Sequence, residues 1–426
     1  MHYKMKKTLL IVSLLLAGAS FAAAASAEPP LELSWQDCVT AALANNPGLK
    51  AKKLAIEQYK YLEQAGYNSY YPSVNISHSL SRGGSDTGPT SSRASTSLSA
   101  SEPLLDMKAL SSIRSARISY EKAFADYRAE SASLRQTLYS AYVNLVYAQE
   151  NVATQKKILV IRQNNSQLVK LDYESGTESR GNMMYAEALT QLSSSSVSQA
   201  ERSLDSARLD LLNAMGTPEY RPITTKASLT APEYVFDAGN LKNIVETIPQ
   251  VISQAKSLES LKERLLSAKY DLYPTLDASQ SLGWSGASEF PGNRSWSLGL
   301  SLNLPIFSSG ITYYANNTRA ADLAYKGGEA SLRDLKNTLA NNILNGYNDF
   351  QNARDNALVN VAVLGASEER YKESQIKYQA GQLSFVDLET IEQSLVDARL
   401  NQLSYFKNAN NSKISLESLL GVGLEE

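Results

Sequence analysis

Tyr378-Gln-Ala-Gly381-Gln-Leu-Ser-Phe-Val-Asp387 sets one glycine between two long helix-patterned segments, and its reading decides the fold. Tyr173-Glu-Ser-Gly176-Thr-Glu-Ser-Arg-Gly-Asn182 repeats the arrangement more weakly. Glycine takes the positive φ of a tight helix stop at low cost, so each stretch reads as the tip of a helical hairpin. Outward from the tips, proline disappears: none lies between Pro103 and Pro218, and none after Pro305. Before the first tip, Leu134, Leu138, Ala141, Leu145, Ala148 and Val152 keep the 4-3-4-3-4 spacing of a coiled-coil seam. Beyond the second tip the seam returns through Leu388, Ile391, Leu395, Ala398, Gln402, Tyr405, Ala409, Ser412, Leu416 and Leu419. The 72 residues from Leu104 to Ser175 would span roughly 105 Å as one helix, more than a compact domain of this size. Ser193 to Ser196, Ala200, Ser203 and Ala207 on the descending arm suit either close helix approach or a solvated serine face.

The prolines give the plan of the chain. Pro47, Pro72, Pro89 and Pro103 recur as Pro249, Pro274, Pro291 and Pro305, each displaced by 202 residues. Gly176 and Gly216 recur as Gly381 and Gly421, displaced by 205. The chain is therefore a tandem duplication of a domain-sized unit. We expect a first repeat at 28–216, a linker at 217–240, a second repeat at 241–421 and a tail at 422–426. Each repeat opens on a broken helix, introduced in the first by Ser34-Trp-Gln-Asp37, which resembles a capping box.

After Tyr71-Pro72-Ser73 and Tyr273-Pro274-Thr275 the period changes to two. Val74, Ile76 and Leu80 alternate with serine and asparagine; after a Gly/Ser/Pro loop, Thr96, Leu98 and Ala100 do the same. In the second repeat Leu276, Ala278, Leu282 and Trp284 are followed by Trp296, Leu298, Leu300, Leu302 and Leu304. The expected strands are about 73–82, 94–102, 275–284 and 295–304. Alternation over some ten residues fits a soluble hairpin with one buried face, or a membrane-barrel strand between lipid and water. Aromatic residues at the strand ends (Tyr71, Tyr273, Trp284, Trp296, Phe307) favour the barrel, while His78 and Gln280 interrupt the apolar face.

Met1 to Ala27 has a basic start, an apolar run from Leu9 to Ala17 and an Ala25-Ser-Ala27 site, the pattern of a secretory signal peptide (1–27). No cysteine stands where a lipid anchor would attach, so none is expected. Without the three lysines of that segment the balance is 38 basic against 43 acidic residues, a net of −5. A basic stripe for nucleic acid is missing. Cys38 is the single cysteine and is expected to be a small buried residue.

Four strands cannot close a barrel, and an open edge in a bilayer leaves backbone groups unsatisfied. The chain must therefore oligomerise. Two copies would give eight strands around a filled interior, three would give twelve around a passage. The Ser/Thr/Asn face suits a watered lumen.

Nearly all of the chain, about 31–421, resembles the TolC-type outer-membrane efflux proteins of Gram-negative bacteria. The resemblance rests on Leu33-Ser-Trp-Gln-Asp37 through Asn46-Pro47, the Tyr-Pro-Ser and Tyr-Pro-Thr strand starts, Glu102-Pro-Leu-Leu-Asp106 and Tyr378 to Asp387. It implies a mixed α+β membrane protein: a homotrimer with a twelve-stranded outer-membrane barrel embedded in lipid and continued by an α-helical barrel across the periplasm. Its helix tips would meet a periplasmic adaptor protein and an inner-membrane transporter. Carried over residue by residue, adaptor docking falls on Ser175, Gly176 and Thr177, and on Ala380, Gly381 and Gln382. The family's gate, an aspartate ring tied by tyrosine and arginine links, maps to Asp387 and Tyr378. Here the arginine position is Leu383, the second aspartate is Thr390 and the acceptor in the first hairpin is Asn182. The family's salt bridge is thus missing, a Tyr378–Asn182 hydrogen bond could stand in for it, and a less tightly closed resting gate is expected. Asp387 also reads as an ordinary acid at a helix start.

No cofactor or metal is expected. Met183-Met184 reads as packing, and one cysteine and two histidines cannot build a soft-metal cage. No Ser/His/Asp or Cys/His set is available, so we expect no enzyme. The expected function is a passive exit duct for efflux or type I secretion. A trimeric coiled-coil structural or adhesive surface protein with a barrel anchor is the alternative.

Overall fold

The computed structural model describes residues 31–287, 292–306 and 308–425. The signal segment 1–27 lies outside them, as do Pro291 and Phe307. The chain runs β1 (Leu31–Glu32), α1 (Trp35–Asn45), α2 (Pro47–Gly66), β2 (Ser73–Gly83), β3 (Ser91–Leu105), α3 (Met107–Glu174) and α4 (Arg180–Met215). It continues through β4 (Ile223–Thr224), α5 (Leu241–Thr247), α6 (Pro249–Lys269), β5 (Thr275–Gly286), β6 (Asn293–Asn303), α7 (Tyr313–Gln379) and α8 (Phe385–Leu419). The second repeat thus reproduces the first element for element.

Local chemistry explains the breaks. Ser34 and Asp37 form a reciprocal capping box at the start of α1. Asn46 accepts from Leu49 N and places Pro47 in the first turn of α2, where a missing N–H costs nothing. Ile248-Pro249 does the same for α6, without a side-chain cap. Helix α3 has 68 residues, about 100 Å of continuous rod. It begins at Met107 rather than Leu104, because Pro103 has no N–H for the ladder. The register instead slips between Pro103 and Leu105, β3 runs on to Leu105, and Asp106 caps the helix through Lys108 N and Ala109 N.

The four long strands form one antiparallel sheet in the order β2-β3-β5-β6, both outer strands unpaired on one side. Up to the slip at Pro103, its register keeps even positions on one face, as in the rows Ile76–Leu98–Leu282–Trp296 and Val74–Ala100–Gln280–Leu298. The opposite face is a serine lattice, with Oγ pairs Ser77–Ser97 and Ser79–Ser95 at 2.7 Å and Ser281–Ser297 at 2.8 Å. The even face is bare on the edge strands, where Ile76 is 77% exposed, Trp296 75% and Leu298 74%, and half-buried on the central ones, where Ala94 is enclosed. His78 belongs to the row His78–Thr96–Trp284–Arg294 at the loop end of that face, its Nδ1 2.8 Å from Thr96 Oγ1. Its place on the apolar face is therefore a rim position. Nothing in the structure explains Gln280.

Helices α3 and α4 form one antiparallel hairpin, α7 and α8 the other, with α2 and α6 packed along them. Gly328 allows the close approach of α6 to α7, since a Cβ there would meet Leu261 and Leu258 at 2.7 and 3.0 Å. The serine-rich arm divides by face: Ser193, Val197, Ala200 and Ala207 are buried, while Ser194, Ser195 and Ser203 stand exposed. The apolar interior falls into three clusters rather than one core. One joins α1, α3 and α4 around Leu138, Leu145, Leu211 and Leu212; one joins α5 to α8 around Ile248 and Ile343; one lies at the tips around Val169, Leu388 and Leu395. The β1–β4 pair, Leu31 with Ile223 and Glu32 with Thr224, ties the start of the described chain to the linker. Two-residue strands leave no periodic signal in the sequence.

Candidate functional site

Each hairpin tip is closed by the same motif. Gly176 (φ +85°) and Gly381 (φ +71°) take the left-handed conformation. Gly176 N–H donates to Tyr173 O and Thr177 N–H to Asp172 O; Gly381 N–H donates to Tyr378 O and Gln382 N–H to Lys377 O, all at 2.9–3.0 Å. This is the doubled bond of a Schellman cap, which satisfies the last helical carbonyls. The helices then restart at Ser179 and Ser384, whose hydroxyls accept from Asn182 N and Asp387 N. Ser175, Gly176, Thr177, Ala380, Gly381 and Gln382 are all exposed, and neither glycine has an atom within 4 Å of a would-be Cβ.

The residues expected at the gate divide. Asp387 is exposed, and its Oδ2 accepts from Ser384 Oγ at 2.7 Å, so within one chain it completes a helix cap. Thr390 is exposed and donates back to Val386 O. Leu383 packs half-buried against the tip cluster of Tyr378, Phe385 and Leu388. Tyr378 is buried beside the first hairpin. Its hydroxyl reaches Glu178 Oε2 at 3.5 Å, while Asn182 Nδ2 donates to Glu178 Oε1 at 2.8 Å. Within the chain Glu178 thus lies between Tyr378 and Asn182 and touches both. Asn182 sits one turn after Glu178 and spends its amide on that carboxylate. Burial, with Asp172 and Glu178 close by, holds the Tyr378 phenol well above its usual range, so it stays a neutral donor.

About three to four turns above the tips lies a polar cluster that the sequence reading missed. Arg162 on α3 and Glu392 on α8 form an ion pair, Nε to Oε1 3.3 Å, with side chains 7% and 6% exposed. Arg162 Nη2 donates to Gln393 Oε1 at 2.7 Å, and Asn165 Nδ2 donates to Tyr371 Oη at 3.0 Å and to Glu392. Gln375 Nε2 donates to Tyr371 Oη at 2.8 Å. Arg162 Nη1 is buried without a hydrogen-bond partner among the described residues. Burial raises the Glu392 carboxyl above its usual range, against the opposing pull of Arg162 and Asn165. The cluster joins the first hairpin to both helices of the second. Glu392 sits one position past Ile391, off the 4-3 spacing of the seam, so no period marks it.

Met183 packs against the tip cluster and Met184 is exposed. No group of metal-ligating side chains occurs among the described residues, and no helix among them is long and apolar enough to cross a membrane.

Known proteins share this architecture over most of its length. The family model of the outer membrane efflux protein matches residues 38–217 and 241–422, once per repeat. The alkaline protease secretion protein AprF of Pseudomonas aeruginosa is 23% identical over 89% of this chain and 82% of its own length. The toluene efflux pump outer membrane protein TtgF of Pseudomonas putida is 24% identical, over 92% and 86%. Among solved structures, the CmeC outer membrane channel of Campylobacter jejuni superposes with a TM-score of 0.81 at 17% identity, covering 97% of this chain and 94% of that one. With a duplicated helical hairpin, a sheet bare on its apolar face and a family match through both repeats, the chain belongs to the outer membrane efflux protein family and is an exit duct of the Gram-negative outer membrane, reaching into the periplasm.

Proposed function

We propose that three copies form a passive conduit whose periplasmic end is opened by partners. The observation that carries this reading is the sheet: four strands, both edges open, one face apolar and bare. Three such sheets joined edge to edge give twelve strands, a serine-lined lumen and no unsatisfied edge in lipid. The helical part also carries exposed apolar side chains, Leu54 and Tyr61 on α2 and Leu323 and Val359 on α7, which neighbouring copies would cover. The two glycine-capped tips are the proposed docking points for a periplasmic adaptor, which couples the duct to an inner-membrane transporter. That transporter supplies energy and selects the cargo. The duct itself does no chemistry.

In the resting duct, Asp387 from three copies forms a cation-attracting ring at the narrow end, where like charges also repel. The arginine link of the family has no counterpart at Leu383, so the ring is held less tightly; within each chain Tyr378 to Glu178 and Arg162 to Glu392 join the two hairpins. Planar-bilayer recordings test the reading. The native protein should give cation-selective channels, and Asp387→Asn should lower cation selectivity at unchanged trimer mass. A trimer that never conducts would favour a structural or adhesive role instead. Affinity capture from the native outer membrane should also bring down an adaptor through the tips, and Gly381→Arg should weaken that capture.

A further inference from the structure

The charges of the sheet are sorted by end. At the loop end stand Arg82 on β2, Arg93 on β3 and Arg294 on β6; the acids Glu102 and Asp277 stand at the helix end. Parity then sorts the arginines by face. Arg93 is odd and belongs to the serine face, whereas Arg82 and Arg294 are even and share the apolar face with Ile76, Leu98 and Trp296. Both are exposed, and neither has an ion-pair or hydrogen-bond partner for its guanidinium among the described residues. Arg294 pairs with Trp284 in the row that includes His78, directly beyond the row of Leu282 and Trp296. From Leu276 to Trp284 the apolar band runs about 27 Å along the strand, or about 20 Å across a bilayer once tilted. Trp284 and Arg294 therefore stand at its outer margin, where headgroup phosphates begin, with Arg82 four residues, about 13 Å along the strand, farther out.

Arg82 and Arg294 lie on the two edge strands. In one chain they are at opposite sides of the sheet. In the proposed trimer, on which this inference rests, β6 of one protomer adjoins β2 of the next, so the two arginines flank the same seam on its lipid side. Guanidinium groups bind phosphate with two parallel hydrogen bonds, and the neighbouring tryptophans offer flat apolar surface to acyl chains. We propose that each of the three seams binds one phosphate-bearing glycolipid of the outer leaflet, held by Arg82 and Arg294 and seated against Trp284 and Trp296.

Native mass spectrometry of the full-length protein, delipidated and then mixed with bis-phosphorylated lipid A, tests the site. The trimer should retain up to three lipids, and dephosphorylated lipid A should be retained at least about tenfold less. The Arg82→Gln/Arg294→Gln variant should lose retention to a similar degree while remaining a trimer, and Arg93→Gln, on the lumen side, should leave retention unchanged. Equal retention by the double variant, equal loss in Arg93→Gln, or indifference to the phosphates would overturn the site. A native protein without trimers would instead overturn the assembly on which it rests.

Discussion

Glu392 shows how one buried group carries information that composition does not. Its carboxyl is ionisable, enclosed and paired with Arg162, and burial lifts its folded value above that of the unfolded chain. The folded protein therefore takes up this proton sooner than the unfolded one. Ionised Glu392 works against folding above the raised value, and that penalty is relieved as pH falls through it towards the usual carboxylate range. The melting temperature of the helical region should rise in that window relative to the Glu392→Gln variant, whose own profile should be flatter. Glu392→Ala leaves Arg162 enclosed and unpaired, and the loss should be about 3–5 kcal/mol. Hydrogen exchange should then quicken around Leu388 to Val396 and stay unchanged around Leu138 and Leu145. Cys38 makes the opposite case, of a group silenced by its surroundings. It is fully buried, and burial together with Asp37 pushes its thiol up to about 12. Maleimide should leave the folded protein unlabelled and modify it stoichiometrically after denaturation.

The glycine caps connect residues to elements. Gly381 and Gly421 share a positive φ, but their settings differ: open space surrounds Gly381, whereas a Cβ on Gly421 would meet Pro249 Cδ at 2.3 Å. Gly381→Ala should cost about 1 kcal/mol, the backbone term alone. Gly421→Ala should cost about 2 kcal/mol or more, because the end of α8 must also move away from the start of α6. Urea titration of the helical signal separates the two. The same elements show what was legible beforehand. Helices, strands and tips were readable because each obeys a period of 3.5 or 2, and because prolines and glycines recur at a constant offset. Side-chain parity even fixed which strand residues share a face. The length of β3 was not readable, since a bulge at Pro103 lets a strand continue through a residue that ordinarily ends one. Nor was the Arg162–Glu392 pair, whose members are 230 positions apart and meet only when the two hairpins pack. The Glu178 bridge was hidden for a related reason. Motif matching aligned Asn182 with an acceptor, but local geometry gave its amide to Glu178.

At the scale of the whole molecule, function follows from two faces of one sheet that differ by a single residue step. Leu298 lies in mid-band, in the row of Val74 and Ala100, and is 74% exposed; its neighbour Ser297 faces the lattice through Ser281 Oγ. If the even face meets lipid and the odd face lines the passage, the same substitution must have opposite consequences at these two positions. Leu298→Arg puts a charge near the bilayer midplane, at a cost of about 2–4 kcal/mol per chain. Three chains incur it together, so heat-resistant trimers should be depleted in outer-membrane fractions. Ser297→Arg should assemble normally, because its charge points into water. It should instead add a ring of three cations within the serine lattice, between the levels of Arg93 and Asp277, and single-channel reversal potentials should shift towards anions. A sheet packed against other protein on its even face would give neither result. Normal assembly of Leu298→Arg, or failure of Ser297→Arg to assemble, would show that the faces are reversed and with them the course of the duct.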